Sequence, residues 1–189
     1  MQLILIRHSK TNVDPKTPIC QWGLSEEGIS LAQKLSNEPE VQSLDVIYSS
    51  LQTKALETAL ILAKPNAIPI KTDDNLTEVT SFTKEHFGYK YTQNVSDFYS
   101  GKVLRLANGE SADEGLKRFN EAIEMIEKVE TAAGIFKAGI VSHGNILSFY
   151  TAQFSDLTPI QIEQRIQMPD YAILDTRSQK ITKMFGSDK

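Results

Sequence analysis

The chain carries three histidines, and two of them, His8 and His143, stand just past short apolar runs. Leu3 to Ile6 runs into Arg7-His8-Ser9-Lys10-Thr11, and Ile140-Val141 runs into Ser142-His143-Gly144-Asn145. An apolar run of this length that ends in a charge reads as a strand covered on both faces. A lone histidine after a strand is more often a hydrogen-bonded core residue than a catalyst. Two of them at equivalent places, with Arg7 beside the first, change that balance. Together they suit an anion, because the backbone N–H groups and dipole of a helix that starts there point at the same place.

The elements must bring these clusters together. Gln2 to Ile6 reads as a buried strand, and Thr11 to Trp22, with Pro15 and Pro18, as loop. Ser25 is a helix N-cap followed by Glu26 and Glu27, although Gly28 stands where a capping box would have Glu or Gln. Ile29, Leu31, Ala32 and Leu35 form its apolar stripe, which ends at Asn37 to Pro39. Leu44 to Tyr48 is a second strand. Ser49-Ser50 then caps a helix to about Lys64, with Ala55, Leu56, Ala59, Leu60 and Leu62 inward. Ile68 to Lys71 is a third, short strand. Residues 72–105 are weakly patterned and rich in aromatics (Phe82, Phe87, Tyr89, Tyr91, Phe98, Tyr99), a candidate lid.

Gly109-Glu110-Ser111 precedes the clearest helix, with Leu116, Phe119, Ile123, Ile126 and Val129 at helical spacing. Lys137 to Ser142 is a strand, and His143-Gly144-Asn145 opens a helix to about Gln153. Thr158-Pro159 starts a short helix. Tyr171 to Asp175 and Lys180 to Met184 close the sheet as a hairpin. This order implies one α/β domain over 1–189, a three-layer α/β/α sandwich with a mostly parallel central sheet. Ligands in such sheets lie outside the strand carboxyl ends, so Arg7-His8, Ser49-Ser50 and Ser142-His143 should share one edge.

Composition narrows the partners. Twenty Lys and Arg against 24 Asp and Glu leave a net charge of −4, which disfavours nucleic acid or an anionic membrane as partner. Cys20 is the single cysteine, so no intramolecular disulfide can form and a cytoplasmic setting is natural. The first apolar run is too short for a signal segment, and no stretch approaches the roughly 20 apolar residues of a membrane span. No metal-ligand spacing is visible, so no metal or cofactor is expected. Oligomeric state leaves no trace in the sequence.

Five blocks occur in one order: Arg7-His8, Ser49-Ser50-Leu51-Gln52-Thr53-Lys54-Ala55, Leu76-Thr77-Glu78, Gly109-Glu110-Ser111 and Val141-Ser142-His143-Gly144. Together they resemble the histidine phosphatase superfamily, the phosphoglycerate mutase-like proteins, over nearly the whole chain. The resemblance implies phosphoryl transfer through a phosphohistidine on His8, which when neutral near pH 7 offers a free nitrogen lone pair. It gives Arg7, Lys54 and His143 the phosphate oxygens, and Glu78 the proton for the leaving oxygen. No metal is required on this reading, since side chains supply the cations. The implied substrate is a small phosphorylated metabolite or a phosphoprotein. A phosphoglycerate-type mutase and a catalytically weak phosphoryl-ligand-binding pseudo-enzyme are the alternatives.

The blocks also depart from the family pattern. Ser9 replaces the usual glycine after the histidine, Leu51 the usual proline, and Lys54 the second arginine. Lysine keeps the charge but loses the planar two-pronged donor that fits phosphate. Asp14 falls where many members have an asparagine, and a carboxylate there would repel substrate, with Asn12 able to compensate. Trp22 and Asn145 are further pocket candidates. Glu110-Ser111 reads as a helix cap, Asp113 and Arg118 as structural or solvent-facing, and His86 as a rim residue.

Overall fold

The computed structural model describes residues 1–79, 97–99 and 109–187. The elements are β1 (Gln2–Arg7), α1 (Glu26–Leu35), α2 (Pro39–Gln42), β2 (Val46–Ser49), α3 (Thr53–Ala63) and β3 (Ile70–Thr72). They continue with α4 (Ala112–Ala132), β4 (Lys137–Ser142), α5 (Gly144–Ala152), α6 (Pro159–Glu163), β5 (Asp170–Asp175) and β6 (Lys180–Lys183). The sheet has six strands in the order β3-β2-β4-β1-β5-β6. The first four of these run parallel to one another, and β5 and β6 add an antiparallel edge. Most of the candidate lid, with His86, lies outside the described residues.

Alternation along β1 builds both outer layers. Leu3 and Leu5 face a cluster with Phe119, Ile123 and Ile126 of α4, Ile146 and Leu147 of α5, and Ile162 of α6. Ile4 and Ile6 face the opposite cluster, with Leu35 of α1, Val41 of α2, and Ala55, Ala59 and Leu62 of α3. All four β1 side chains are fully buried, each stabilising the fold by roughly 1.5–3 kcal/mol. The expected three layers are therefore present, with a helix layer on each face. Among the described residues no helix is long and apolar enough to cross a membrane.

Several boundaries move. β2 is Val46–Ser49 rather than Leu44 to Tyr48, and β3 is Ile70–Thr72 rather than Ile68 to Lys71. Ser49-Ser50 does not cap α3. Ser49 is still strand, Ser50 N–H continues the pairing onto the Val141 carbonyl at 3.0 Å, and Gln52 is the N-cap of α3. Leu60, expected inward, is exposed, as are Ile29 on α1 and Val129 on α4. A helical stripe predicted from spacing is wider than the strip its neighbours cover.

The anomaly at Gly28 is resolved by the chain that follows His8. Ser25 N–H donates to the Lys10 carbonyl at 3.0 Å, and Ser9 Oγ donates to the Gly28 carbonyl at 2.7 Å. Ser25 Oγ accepts from Gly28 N–H at 3.0 Å, so half of the capping box remains. A Cβ at Gly28 would stand 2.0 Å from the Lys10 carbonyl oxygen, so only glycine lets α1 lie against this segment. Alanine in a helix interior is ordinarily better than glycine by about 0.8–1 kcal/mol. Here Gly28→Ala is expected to destabilise by roughly 1–3 kcal/mol, the usual cost of overpacking, read as a lower denaturation midpoint in urea. An unchanged or raised midpoint would show that the contact yields freely.

Candidate active site

Parallel pairing of β1 with β4 sets Arg7 opposite Ser142, and one step later His8 N–H donates to the Ser142 carbonyl at 2.9 Å. The two histidines thereby leave adjacent strand ends together. Their ring centroids are 5.1 Å apart and the rings are inclined at 61°. Ser50, from the end of β2, closes the group, its Oγ 2.9 Å from His143 Nε2. The three strand ends do share one edge.

His8 is buried, and its Nδ1 lies 2.8 Å from the Ser9 carbonyl oxygen. A carbonyl can only accept, so Nδ1 carries the hydrogen and Nε2 keeps its lone pair. Burial, with the nearby charges of Lys54 and Arg7, takes the His8 pKa down to about 3, against the opposing pull of the Ser9 carbonyl. The ring is therefore neutral at any ordinary pH. His143 is pushed well below its usual value by burial first and then by His8, Lys54 and Arg7. Its Nδ1 is buried without a hydrogen-bond partner among the described residues. Left unmet, such a group costs about 1–3 kcal/mol.

Two cations flank the rings. The Arg7 guanidinium lies against the first turn of α5, where a Cβ at Gly144 would stand 2.9 Å from Arg7 Cζ. Arg7 Nη1 donates to the Ile166 carbonyl at 3.1 Å. Lys54 is buried on the first turn of α3, and its Nζ donates to the Ile19 carbonyl at 3.0 Å. Burial lowers the Lys54 pKa to about 8, against the favourable charges of Glu78 and Cys20.

Glu78 lies at the N-terminus of α5. Its Oε2 accepts from Asn145 N–H at 3.1 Å, and its Oε1 from Ile146 N–H and Val79 N–H, each at 2.9 Å. Burial raises its pKa even so, against those three donors and the charge of Arg7. A neutral ring nitrogen with a free lone pair, a second buried histidine, two cations and a carboxyl whose pKa is raised thus surround one strand edge. That set can take a phosphoryl group and protonate what leaves it.

The sequence pattern of the histidine phosphatase superfamily (branch 1) matches residues 3–181. The chain belongs to that superfamily. Solved structures agree on the fold. Bacillus stearothermophilus YhfR is 24% identical with a TM-score of 0.76, covering 98% of this chain and 96% of that one. The alpha-ribazole phosphatase from Shigella flexneri is 20% identical with a TM-score of 0.74, covering 99% and 96%. A mycobacterial glucosyl-3-phosphoglycerate phosphatase in complex with VO3 is 17% identical with a TM-score of 0.76, covering 95% and 94%. Comparison with curated protein sequences gives no match.

As a member of this superfamily, the chain shows how its departures are accommodated. Ser9 is fully buried and bonded at both ends, its N–H to Thr58 Oγ1 at 3.0 Å and its Oγ to the Gly28 carbonyl. Asp14 turns its carboxylate into its own turn, accepting from Thr17 Oγ1 at 2.6 Å and Lys16 N–H at 2.9 Å. Those two bonds, the first leading, lower its pKa. Trp22 Nε1 donates to the Asp14 and Thr17 carbonyls, each at 3.0 Å, and so ties the same loop. Asn12 is exposed, with its N–H on the Gly23 carbonyl, and Leu51 is exposed. Asn145 Oδ1 accepts from Tyr99 Oη at 2.9 Å, beside Glu78.

Of the helix N–H groups expected to cradle an anion, those of Asn145 and Ile146 hold the carboxyl of Glu78. Ser50, expected at this edge, contacts His143, and the pair Glu110–Arg118, not expected at the site, holds the Glu78 segment. No spacing rule links position 118 to position 78.

Lys54 sets a test. It is cationic below about pH 8 and neutral above, whereas phosphate is already a dianion there. Inhibition by inorganic phosphate should therefore weaken as pH rises through 8 to 9.5, about tenfold per pH unit at the upper end. Lys54→Arg should flatten that dependence, and Lys54→Ala should weaken inhibition throughout. Phosphate affinity that is unchanged in Lys54→Ala would remove Lys54 from the site.

Proposed function

We propose that this chain is a phosphomonoester hydrolase that works through a phosphohistidine on His8. The observation that carries the reading is the His8 ring itself, neutral and with Nδ1–H committed to the Ser9 carbonyl, so that Nε2 is the nucleophile. The ester phosphate binds among Arg7, Lys54 and the Nδ1–H of His143, which stabilise charge on its non-bridging oxygens. His8 Nε2 attacks phosphorus as the bond to the ester oxygen breaks, and the Glu78 carboxyl gives that oxygen its proton. Water then attacks phosphorus, Glu78 takes the water's proton, the P–N bond breaks, and phosphate leaves with His8 regenerated.

The superfamily supports this chemistry, and so does the fold shared with a structure that holds VO3 and with an alpha-ribazole phosphatase. Those proteins act on different phosphate esters, and the substrate of this chain is a small phosphorylated metabolite or a phosphoprotein. Side-chain cations do the work of charge stabilisation, and no metal enters the proposed steps.

The direct test is hydrolysis of p-nitrophenyl phosphate, with and without EDTA, by wild type and His8→Ala. Wild type should release free phosphate equally in both conditions. His8→Ala should lose about 10³-fold or more, in line with removal of other nucleophiles. Rapid acid-free quenching should trap phosphate on His8 in wild type alone. Wild-type activity no higher than that of His8→Ala across pH and a metabolite panel would overturn the hydrolase reading. A requirement for added metal would overturn the metal-free mechanism.

A further inference from the structure

Among the described residues, the stretch that carries Glu78 pairs with no strand. It leaves the sheet after β3, makes one tight turn over Asp74–Leu76, and then runs extended at Thr77. Four successive carbonyls, of residues 75 to 78, are instead each taken by a side chain. Ser142 Oγ donates to the Leu76 carbonyl at 2.7 Å. Arg118 on α4 takes the other three: Nη1 donates to the Asn75 carbonyl, Nη1 and Nη2 reach the Thr77 carbonyl at 3.3 Å each, and Nη2 reaches that of Glu78 at 3.5 Å.

Arg118 is itself fixed. Its Nε and Nη2 donate to the two carboxylate oxygens of Glu110, each at 2.8 Å, and both side chains are largely buried. Glu110 directly precedes Ser111, whose complete capping box anchors the start of α4. Gly115 lets the helix come this close, since a Cβ there would meet Glu110 Oε2 at 3.1 Å and Val79 Cγ2 at 3.2 Å. The guanidinium is thus locked in one plane by a two-pronged ion pair, and its remaining donors face the backbone of the Glu78 segment.

We infer that Arg118, locked by Glu110, is the positioning residue for the acid Glu78, setting where its carboxyl meets the leaving oxygen. The inference rests on the role given to Glu78 in the proposed hydrolase mechanism. The carboxyl is held from two sides: α5 N–H groups fix its oxygens, and Arg118 fixes the backbone from which it projects. A displacement of about 1 Å in such a group can cost 10²-fold in rate. Proton donation matters in proportion to the basicity of the leaving oxygen, so in kcat/KM a displaced acid is felt with alkyl phosphates and hardly at all with p-nitrophenyl phosphate, whereas the later attack of water affects kcat on every ester alike. A side chain that only stabilised the fold would depress both alike.

The experiment measures kcat and kcat/KM on a series from p-nitrophenyl phosphate through phenyl phosphate to glycerol 2-phosphate. It uses wild type, Glu78→Gln, Arg118→Met, Arg118→Lys and Glu110→Gln, with thermal denaturation of each. Glu78→Gln should lose activity steeply along the series. In kcat/KM, which reports only the transfer to His8, Arg118→Met should follow the same slope, losing on the order of tenfold or more on glycerol 2-phosphate and under about twofold on p-nitrophenyl phosphate. Arg118→Lys should recover part of the alkyl-ester loss, because an ammonium can reach one carbonyl but not all three. A flat profile for Arg118→Met beside a steep one for Glu78→Gln would overturn the positioning role alone. Flat profiles for both would overturn it together with the role of Glu78 as acid. Should Arg118→Met fail to fold, Glu110→Gln, which spares the carbonyl contacts but loosens the lock, must show the same slope or the inference falls.

Discussion

The site depends on the pairing of β1 with β4. Parallel neighbours with Arg7 opposite Ser142 deliver His8 and His143 from adjacent strands at one level, and the His8 N–H bond to the Ser142 carbonyl holds that level beyond the last strand residue. A slip of one residue would exchange the two faces of β1 and draw Arg7 toward the core. The buried run Leu3 to Ile6 makes that slip expensive, so the apolar strand fixes the geometry of its polar end. Ser50 comes into range for the same reason, since β2 pairs with the other edge of β4.

Burial at that edge then decides the charge states. Desolvation keeps both histidines neutral and lowers Lys54, while it raises Glu78. One physical cause therefore keeps the histidines neutral, weakens a cation and favours the protonated form of a carboxyl, as the proposed mechanism needs. Lysine in place of arginine matters here, because an arginine would keep its charge under the same burial. It also has a single terminal nitrogen, and one of its donors is spent on the Ile19 carbonyl.

What the sequence made legible was what local patterning controls. The β1 and β4 runs, the Ser25 and Ser111 caps, and the strand-end placement of Arg7-His8 and Ser142-His143 appear as read. Ser49-Ser50 misled because serine after a strand signals a cap, whereas here the strand pairing continues through Ser50. Gly28 looked like a weak cap because the reason for it, the Lys10 carbonyl, lies 18 residues earlier. Asp14 looked like a repulsive charge, and its own turn absorbs it. The Arg118 contacts cross from α4 to the segment after β3, a distance in sequence at which composition carries no information.

The N-terminus of α5 shows how these constraints interlock. A helix start beside two histidines would ordinarily offer its N–H groups to an anion, but the carboxylate of Glu78 is already there. On the proposed mechanism Arg7, Lys54 and His143 meet the phosphate charge, so the lowered pKa of Lys54 bears directly on how firmly phosphate is held. The same arrangement gives Glu78 its double character. The helix dipole and three N–H donors steady its anion while burial favours its acid form, which suits the proposed role of giving a proton and taking one back. That balance depends on the carboxyl keeping its bonds to the Asn145 and Ile146 N–H groups. The backbone behind it is kept in place by side chains from two other elements, Ser142 at the end of β4 and Arg118 on α4.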